Sequence, residues 1–403
     1  MVGLVVLTAL AGPSACTEEP GFPEFRHDAF YQRLRGFAES FTLRDGDWKE
    51  DFGDAAFYGP AYYAHAGVTG YNQYYSIRAA AAHQRNLHVL RTENLVTGDS
   101  TELIMGALGA IEYMAATGDR AGLEDLDTMI GGLQLILGLF GGYITPDLAP
   151  GYAMDNYGPT TVNALLGLVL LQHAFNLGGE TRDAYLQAGR ELADRIRQRA
   201  WTGEHYAFSE TREGLFLYPN ITLMLLTTRL YQLTEESEYL DQARAIYDAI
   251  QPLKVKPDSG WVSPGRYRSP YSADEMGAQT DDYSTLSSQN YAMFALALLY
   301  EATGEVAWVR ELDGLLDFVE QRLVGEWCLN HLHPEPCAPA CFDTDAVCVA
   351  EQCEAERCQG GVLHHWIDGR LADHNDAEFF CSGCNLQTLF LLWYRQERLV
   401  APD

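Results

Sequence analysis

Lysine is nearly missing from this 403-residue chain: Lys49, Lys254 and Lys256 are the only ones, and every other basic residue is arginine. Together 27 basic residues face 56 acidic ones, a net charge of −29. Binding a phosphate backbone needs clustered Lys and Arg, so nucleic acid is excluded as a partner. Cysteine is absent between Cys16 and Cys328, so no disulfide has either end within that stretch. No apolar run reaches the ~20 residues a membrane helix needs. A phosphate-cradling Gly-rich loop, a nucleophile elbow and a dinucleotide fingerprint are all missing, so no cofactor is expected. Hydrophobic residues make up 47% of the chain, enough for a large core built without any of these aids.

What the chain does have is an internal repeat. A nearly uncharged apolar helix, a tight turn and a charged amphipathic helix recur five times. The turns mark the register: Val68-Thr69-Gly70, Ala116-Thr117-Gly118-Asp119, Leu177-Gly178-Gly179-Glu180, Leu233-Thr234-Glu235-Glu236 and Ala302-Thr303-Gly304-Glu305. Repetition at this scale sets the architecture before any motif does. Two half-units remain. Phe25 to Phe41 reads as a charged helix with no apolar partner before it, and Leu386 to Tyr394 as an apolar helix with no charged partner after it. Pairing them makes a sixth hairpin and closes a ring; an open solenoid has no reason to split one unit between its ends. The expected fold is all-α, an (α/α)6 toroid of twelve helices over residues 24–399.

Stretches such as Leu165 to Leu171, Ile221 to Leu226 and Ala292 to Leu299 are apolar on every side, so they belong to the buried inner ring. Asp183 to Arg199 and Glu238 to Ile250 carry charge on one face and form outer helices. Inner-to-outer turns are short. Outer-to-inner loops are long, at residues 42–53, 141–158, 201–218, 252–285 and 325–383, and all must emerge on one face of the ring. Long loops in a compact domain are usually functional.

At the N-terminus, residues 1–16 read as a signal peptide. An apolar stretch ends in Gly12-Pro13-Ser14-Ala15-Cys16, which resembles a bacterial lipobox, and a polar linker over residues 17–23 follows. The expected destination is outside the cytoplasm, as a cell-envelope lipoprotein or a secreted protein, with a lipid on Cys16 as the membrane attachment. The other eight cysteines lie between Cys328 and Cys384, and most fall in a Cys-rich insertion over residues 328–360. An even number in an exported chain implies structural disulfides. Cys381 and Cys384 also have the spacing of a redox pair or half of a metal site, but bridging is favoured and no metal is expected.

The hairpin pattern resembles the six-hairpin carbohydrate-active superfamily, whose members include glycoside hydrolases, some polysaccharide lyases and sugar epimerases. In that superfamily the substrate cleft lies on the long-loop face. The resemblance implies an oligo- or polysaccharide substrate, and a monomer is expected. Fold alone assigns no chemistry. Glycoside cleavage needs two carboxylates flanking the scissile bond, with aromatic platforms for the sugar rings. The loops supply both. Asp281 and Asp282 are adjacent, and crowding of like charges raises one pKa toward the range of a general acid. Asp155 precedes the sharp helix start at Gly158-Pro159, and Asp54 sits at the equivalent station of the first hairpin. Trp48, Tyr157, Trp261, Tyr283 and Trp366 are the candidate platforms. Arg266 is a candidate partner for a uronate carboxylate. His365, beside Trp366, is a candidate base. Each residue taken alone also has an ordinary structural role, as a helix cap, a solvated loop or loop packing.

Three functions follow. The first is an exported glycoside hydrolase using paired carboxylates. The second is a lyase or epimerase acting on uronic acids through His and Arg. The third is a non-catalytic surface protein that binds glycans or other partners.

Overall fold

The computed structural model describes residues 21–41, 80, 83–84, 87, 100–120, 122–139, 142–143, 158–177, 179–210, 212–256, 266–268, 283–324, 327–330, 333–336, 365–367, 370–371 and 382–401. Within them lie ten helices of the expected alternation: α1 (Asp28–Phe41), α2 (Ser100–Thr117), α3 (Leu123–Leu139), α4 (Gly158–Asn176), α5 (Gly179–Ala200), α6 (Leu217–Thr234), α7 (Ser237–Ile250), α8 (Leu286–Thr303), α9 (Val306–Phe318) and α10 (Ser382–Glu397). Helical residues at 80, 83, 84 and 87 fall where the outer helix of the first hairpin is expected.

The packing order is that of a ring. Each inner helix touches the next, α2 to α4 to α6 to α8 to α10, while α5, α7 and α9 each lie against the inner helix that precedes them. The first helix, α1, packs on the last, α10, which is the closure inferred from the two half-units. The five inner helices surround an axial cavity of about 130 Å3, lined by Leu108, Leu165, Leu225, Phe294 and Phe390. No described helix is long and apolar enough to cross a membrane.

The repeated turn has a repeated mechanism. Thr117, Thr234 and Thr303 each donate their hydroxyl to the carbonyl four residues back, at 2.7, 2.9 and 2.7 Å. Each hydroxyl also accepts the backbone N–H two residues on, from Asp119, Glu236 and Glu305, at 3.1, 3.2 and 3.2 Å. The residue between them is left-handed: Gly118 at φ 73°, Gly304 at φ 72°, and Glu235 at φ 60°. A left-handed cap releases the chain from the helix at once, and glycine adopts it without steric cost. The acid that follows starts the outer helix and pairs with the preceding outer helix, as in Arg190–Glu236 and Arg244–Glu305. These exposed pairs contribute ~0–1 kcal/mol each and serve mainly to set spacing.

Glycine also permits close helix contact. A Cβ on Gly167 of α4 would lie 2.8 Å from Leu226 of α6, and one on Gly189 of α5 would lie 2.5 Å from Leu171. The outer helix α3 departs from the charged pattern: its last charge is Asp127, and Leu135 is 66% exposed.

Short strands decorate the outer-to-inner loops, a feature the helical periodicity does not foretell. β1 (Ala207–Ser209) pairs with β2 (Arg212–Leu215), and β4 (Trp327–Asn330) with β5 (His333–Pro336), which opens the Cys-rich insertion. β3 (Tyr283–Thr285) pairs with β6 (His365–Ile367), which pairs in turn with β7 (Arg370–Leu371). A long loop must satisfy its backbone N–H and C=O groups somewhere, and these small ladders do so.

A buried ion pair adds to the ring closure. Arg395 of α10 grips Asp313 of α9 with two bonds, Nε to Oδ1 at 2.7 Å and Nη2 to Oδ2 at 3.0 Å. The same guanidinium donates to the Pro23 carbonyl at 2.8 Å and the Leu399 carbonyl at 3.2 Å, and lies over the rings of Phe22 and Phe25. The segment before α1 and the segment after α10 are thereby both fixed to one side chain.

Candidate active site

The inner helices are apolar in their middles and polar in their first turns. Thr160, Thr161 and Asn163 of α4, Asn220 and Thr222 of α6, Ser287 to Asn290 of α8, and Asn385, Gln387 and Thr388 of α10 are all buried. All lie at the N-terminal ends, the face onto which the long loops open. Buried polar groups need partners, and here the partners are the loops and each other.

On α6, Asn220 accepts the Tyr206 N–H at 2.9 Å and donates to the carbonyls of Tyr206 and Phe216 at 2.9 and 2.7 Å. One amide therefore pins the β1 loop onto the helix. On α8, Gln289 does the same for the 266–268 segment, accepting from the Tyr267 N–H and donating to the Tyr267 carbonyl, both at 2.8 Å. On α4, Asn163 donates to the Pro159 carbonyl at 2.7 Å. The rim is also joined sideways. Tyr218 of α6 hydrogen-bonds Thr285 Oγ1 at 3.1 Å and the Ser287 hydroxyl of α8. Asn290 of α8 donates to the Cys384 carbonyl at 3.0 Å and to Gln387 of α10 at 3.1 Å, and accepts from Thr388 at 3.0 Å. Cys384 is itself disulfide-bonded. The result is a rigid polar collar that can hold loop side chains in fixed positions.

The sequence candidates divide into two groups. Asp281, Asp282, Asp155, Asp54, Trp48, Tyr157 and Trp261 lie outside the described residues. Tyr283, His365 and Trp366 are brought together by the β3–β6 ladder, in which Tyr283 pairs with Ile367, Ser284 with Trp366 and Thr285 with His365. Residues some 80 positions apart in sequence thus share one small sheet immediately after Asp281-Asp282 and before α8.

Arg266 has a different place from the cleft wall expected for it. Its side chain is fully buried, donates from Nη1 to Ser284 Oγ at 2.7 Å and lies over Phe318. Ser284 Oγ in turn donates to the Tyr267 carbonyl at 2.7 Å. Burial, with Arg268 nearby, lowers the Arg266 pKa to about 10. The geometry is that of a bolt holding β3 to the 266–268 segment, and the Pro- and Gly-rich loop gave no sign that the arginine would turn inward. Arg268 is half-buried and donates to the Pro252 carbonyl at 3.1 Å.

Two local details bear on the carboxylates. The N-cap of α8 is Thr285, whose hydroxyl accepts the Ser288 N–H. The capping role open to an aspartate just before this helix is therefore filled. Gly158, at φ 69°, starts α4 with the Phe208 ring 2.6 Å from where its Cβ would be. Only glycine fits at this helix start.

Sequence reasoning missed the amides Asn163, Asn220, Gln289, Asn290 and Gln387. Their signal was available: one or two amides within the first turns of an otherwise apolar helix. Asn220 lies in a glycosylation sequon, Asn220-Ile221-Thr222, but is fully buried and bonded on both sides of its amide.

With this geometry in hand, comparisons place the chain among known proteins. The model of glycosyl hydrolase family 76 matches residues 174–362. No curated protein matches the chain. Among solved structures, a D-mannose isomerase is 13% identical, with 95% of this chain and 100% of that one covered and a TM-score of 0.59. A cellobiose 2-epimerase from Bacillus thermoamylovorans is 12% identical, covering 91% and 98%, with a TM-score of 0.58. A family 76 α-mannanase from Bacteroides thetaiotaomicron is 13% identical, covering 91% and 96%, with a TM-score of 0.56. At these identities the neighbours speak for the fold alone, a ring of helical hairpins. The family match supports a glycan-active enzyme, a glycoside hydrolase.

Proposed function

We propose that this protein is an exported glycoside hydrolase that lays an oligosaccharide across the long-loop face of the ring. The observation that carries the reading is the family 76 match over residues 174–362, which takes in the 252–285 loop with β3 at its end. In this reading Asp281 or Asp282 is one carboxylate and Asp155 or Asp54 the other. One protonates the leaving oxygen, and the other acts as base toward water or as nucleophile. The strand that follows Asp281-Asp282 in sequence, Tyr283–Thr285, is anchored at its far end by the Thr285 cap and the Tyr218 hydroxyl. Such anchoring keeps a reacting group within the tolerance that catalysis needs. Trp48, Tyr157, Trp261, Tyr283 and Trp366 form the sugar platforms. The α-mannanase named among the family 76 relatives makes α-mannan the first substrate to try. Export rests on the N-terminal peptide, with a lipid on Cys16 as the anchor.

A second reading has its own support. The ladder sets His365 opposite Thr285, four residues from Asp281. A histidine at that station suits proton abstraction in an epimerase or lyase.

The test is a polysaccharide panel including α-mannan, with reducing ends and ultraviolet absorbance read on the same samples. Hydrolysis raises reducing ends alone; elimination raises both signals through the unsaturated uronate. Asp282→Asn is expected to abolish turnover with an unchanged melting temperature. Full activity in that variant removes Asp282 from the mechanism.

A further inference from the structure

The opposite face of the ring, where the short turns lie, contains a second cavity that the glycan reading does not use. It occupies about 250 Å3 between the α2–α3 turn and the end of α4. Ile111, Met114, Leu123 and Leu126 supply its apolar wall, and His173 and Arg120 its polar points.

His173 is 1% exposed. Its Nε2 lies 2.7 Å from Asp127 Oδ1, and the Tyr185 hydroxyl donates to the same oxygen at 3.4 Å. The Tyr185 ring meets the imidazole edge-on, with centroids 4.8 Å apart. A carboxylate on Nε2 fixes the proton there and leaves Nδ1 as the acceptor. Among the described residues Nδ1 has no hydrogen-bond partner. A buried histidine that serves only the fold normally bonds through both nitrogens. Here one nitrogen is oriented by a carboxylate and the other is left for something that enters the cavity. Arg120 sits at the rim, exposed, and lines both this cavity and the adjoining groove formed by Glu124, Asp127 and Thr128. Among the described residues its guanidinium has no ion-pair partner.

We propose that this cavity binds a small aromatic hydroxy acid. The phenolic hydroxyl donates to His173 Nδ1, the ring packs among Ile111, Met114, Leu123 and Leu126, and the carboxylate meets Arg120 at the rim. Size agrees with this choice. An apolar cavity of ~150 Å3 admits benzene, so one of about 250 Å3 admits roughly ten heavy atoms. Charge agrees as well: in so acidic a chain, an unpaired arginine at a pocket mouth is the feature that admits an anion. A purely apolar ligand would leave Nδ1 unsatisfied, which disfavours it. The site is independent of the glycan cleft and does not depend on the hydrolase reading.

The experiment is titration calorimetry on the purified protein with 4-hydroxybenzoate as the probe, and benzoate and phenol as comparators. A Kd of about 1 mM or tighter is expected for a ligand of this size. Benzoate, lacking the hydroxyl, and phenol, lacking the carboxylate, are each expected to bind about tenfold more weakly. Arg120→Gln lies in an exposed turn, so folding is preserved; it is expected to remove the preference for 4-hydroxybenzoate over phenol. His173→Phe is expected to remove the preference over benzoate. Glycan turnover should be unchanged in both variants. Absence of binding by the wild-type protein, or equal affinity for all three probes, overturns the proposal. Binding that survives in Arg120→Gln and His173→Phe with its preferences intact places the ligand elsewhere and overturns it too.

Discussion

Arg395→Ala is the substitution that tests ring closure. It removes two bonds to Asp313 and one each to the carbonyls of Pro23 and Leu399. Asp313 is 5% exposed, so its carboxylate is left buried without a counter-charge. Removing one partner of a buried pair costs ~3–5 kcal/mol, because the survivor keeps its desolvation penalty and loses its compensation. The contacts to Phe22 and Phe25 go as well, which weakens the tie between the N-terminal segment and the last helix. With an unfolding entropy of ~2.1 cal/mol/K per residue, a chain of 403 residues shifts its melting point by roughly 1 °C per kcal/mol. The expected drop is therefore about 4–6 °C by calorimetry. The paired variant Arg395→Met with Asp313→Leu removes both charges and is expected to recover at least half of the loss, since a buried ion pair and an apolar pair of similar volume are often near equal. A single variant melting within 1 °C of the wild type refutes the reasoning, as does a double variant no better than the single.

Glu235→Gly is expected to raise stability by ~0.5–1 kcal/mol, since Glu235 holds the left-handed cap (φ 60°) that glycine holds in the other two turns; denaturant titration reads it, and destabilisation contradicts the turn analysis. Gly158→Ala forces a side chain into a positive φ and against the Phe208 ring, so a loss of ~2 kcal/mol or more with reduced turnover is expected, whereas normal activity would detach this position from the candidate site. Asn220→Leu leaves the Tyr206 N–H and C=O without their amide partner and is expected to cost ~2–4 kcal/mol; the wild-type protein made in a glycosylating host should show no added sugar mass at Asn220. Burial pushes the Tyr206 pKa up to about 12. The folded state then holds its proton more tightly than the unfolded chain, so this contribution is intact below pH ~10 and is lost as pH rises from there toward 12. Tyr206→Phe should flatten that part of the stability–pH curve, and an unchanged slope argues against the shift.

How far the sequence reaches depends on which physical signal each feature leaves in it. The ring was legible because a closed toroid writes itself twice, once in the alternation of all-apolar and amphipathic helices and once in the two unpaired halves at the ends. α1 on α10 is the contact those halves required. The turns were legible because their chemistry is local: at three of them the Thr hydroxyl and left-handed residue act within seven positions. The site was less legible, for the opposite reason. Its determinants are contacts between distant loops, and nothing in Arg266-Tyr267-Arg268 distinguishes an arginine that reaches outward to a sugar from one that turns inward to Ser284. The same holds for the register that sets Thr285 opposite His365. A three-residue strand inside a long loop has too few positions for a period of two to stand out. The collar amides fall between these cases. Asn220 and Gln289 each stand within the first turns of an apolar helix, where a polar side chain needs a specific partner. An amide at that station was therefore evidence for a loop fastened to the ring, even though it carries no chemistry of its own. Read that way, carboxylate and aromatic residues mark where the chemistry lies, and the amides mark what holds them still. A search for catalytic residue types alone finds the first set and passes over the second.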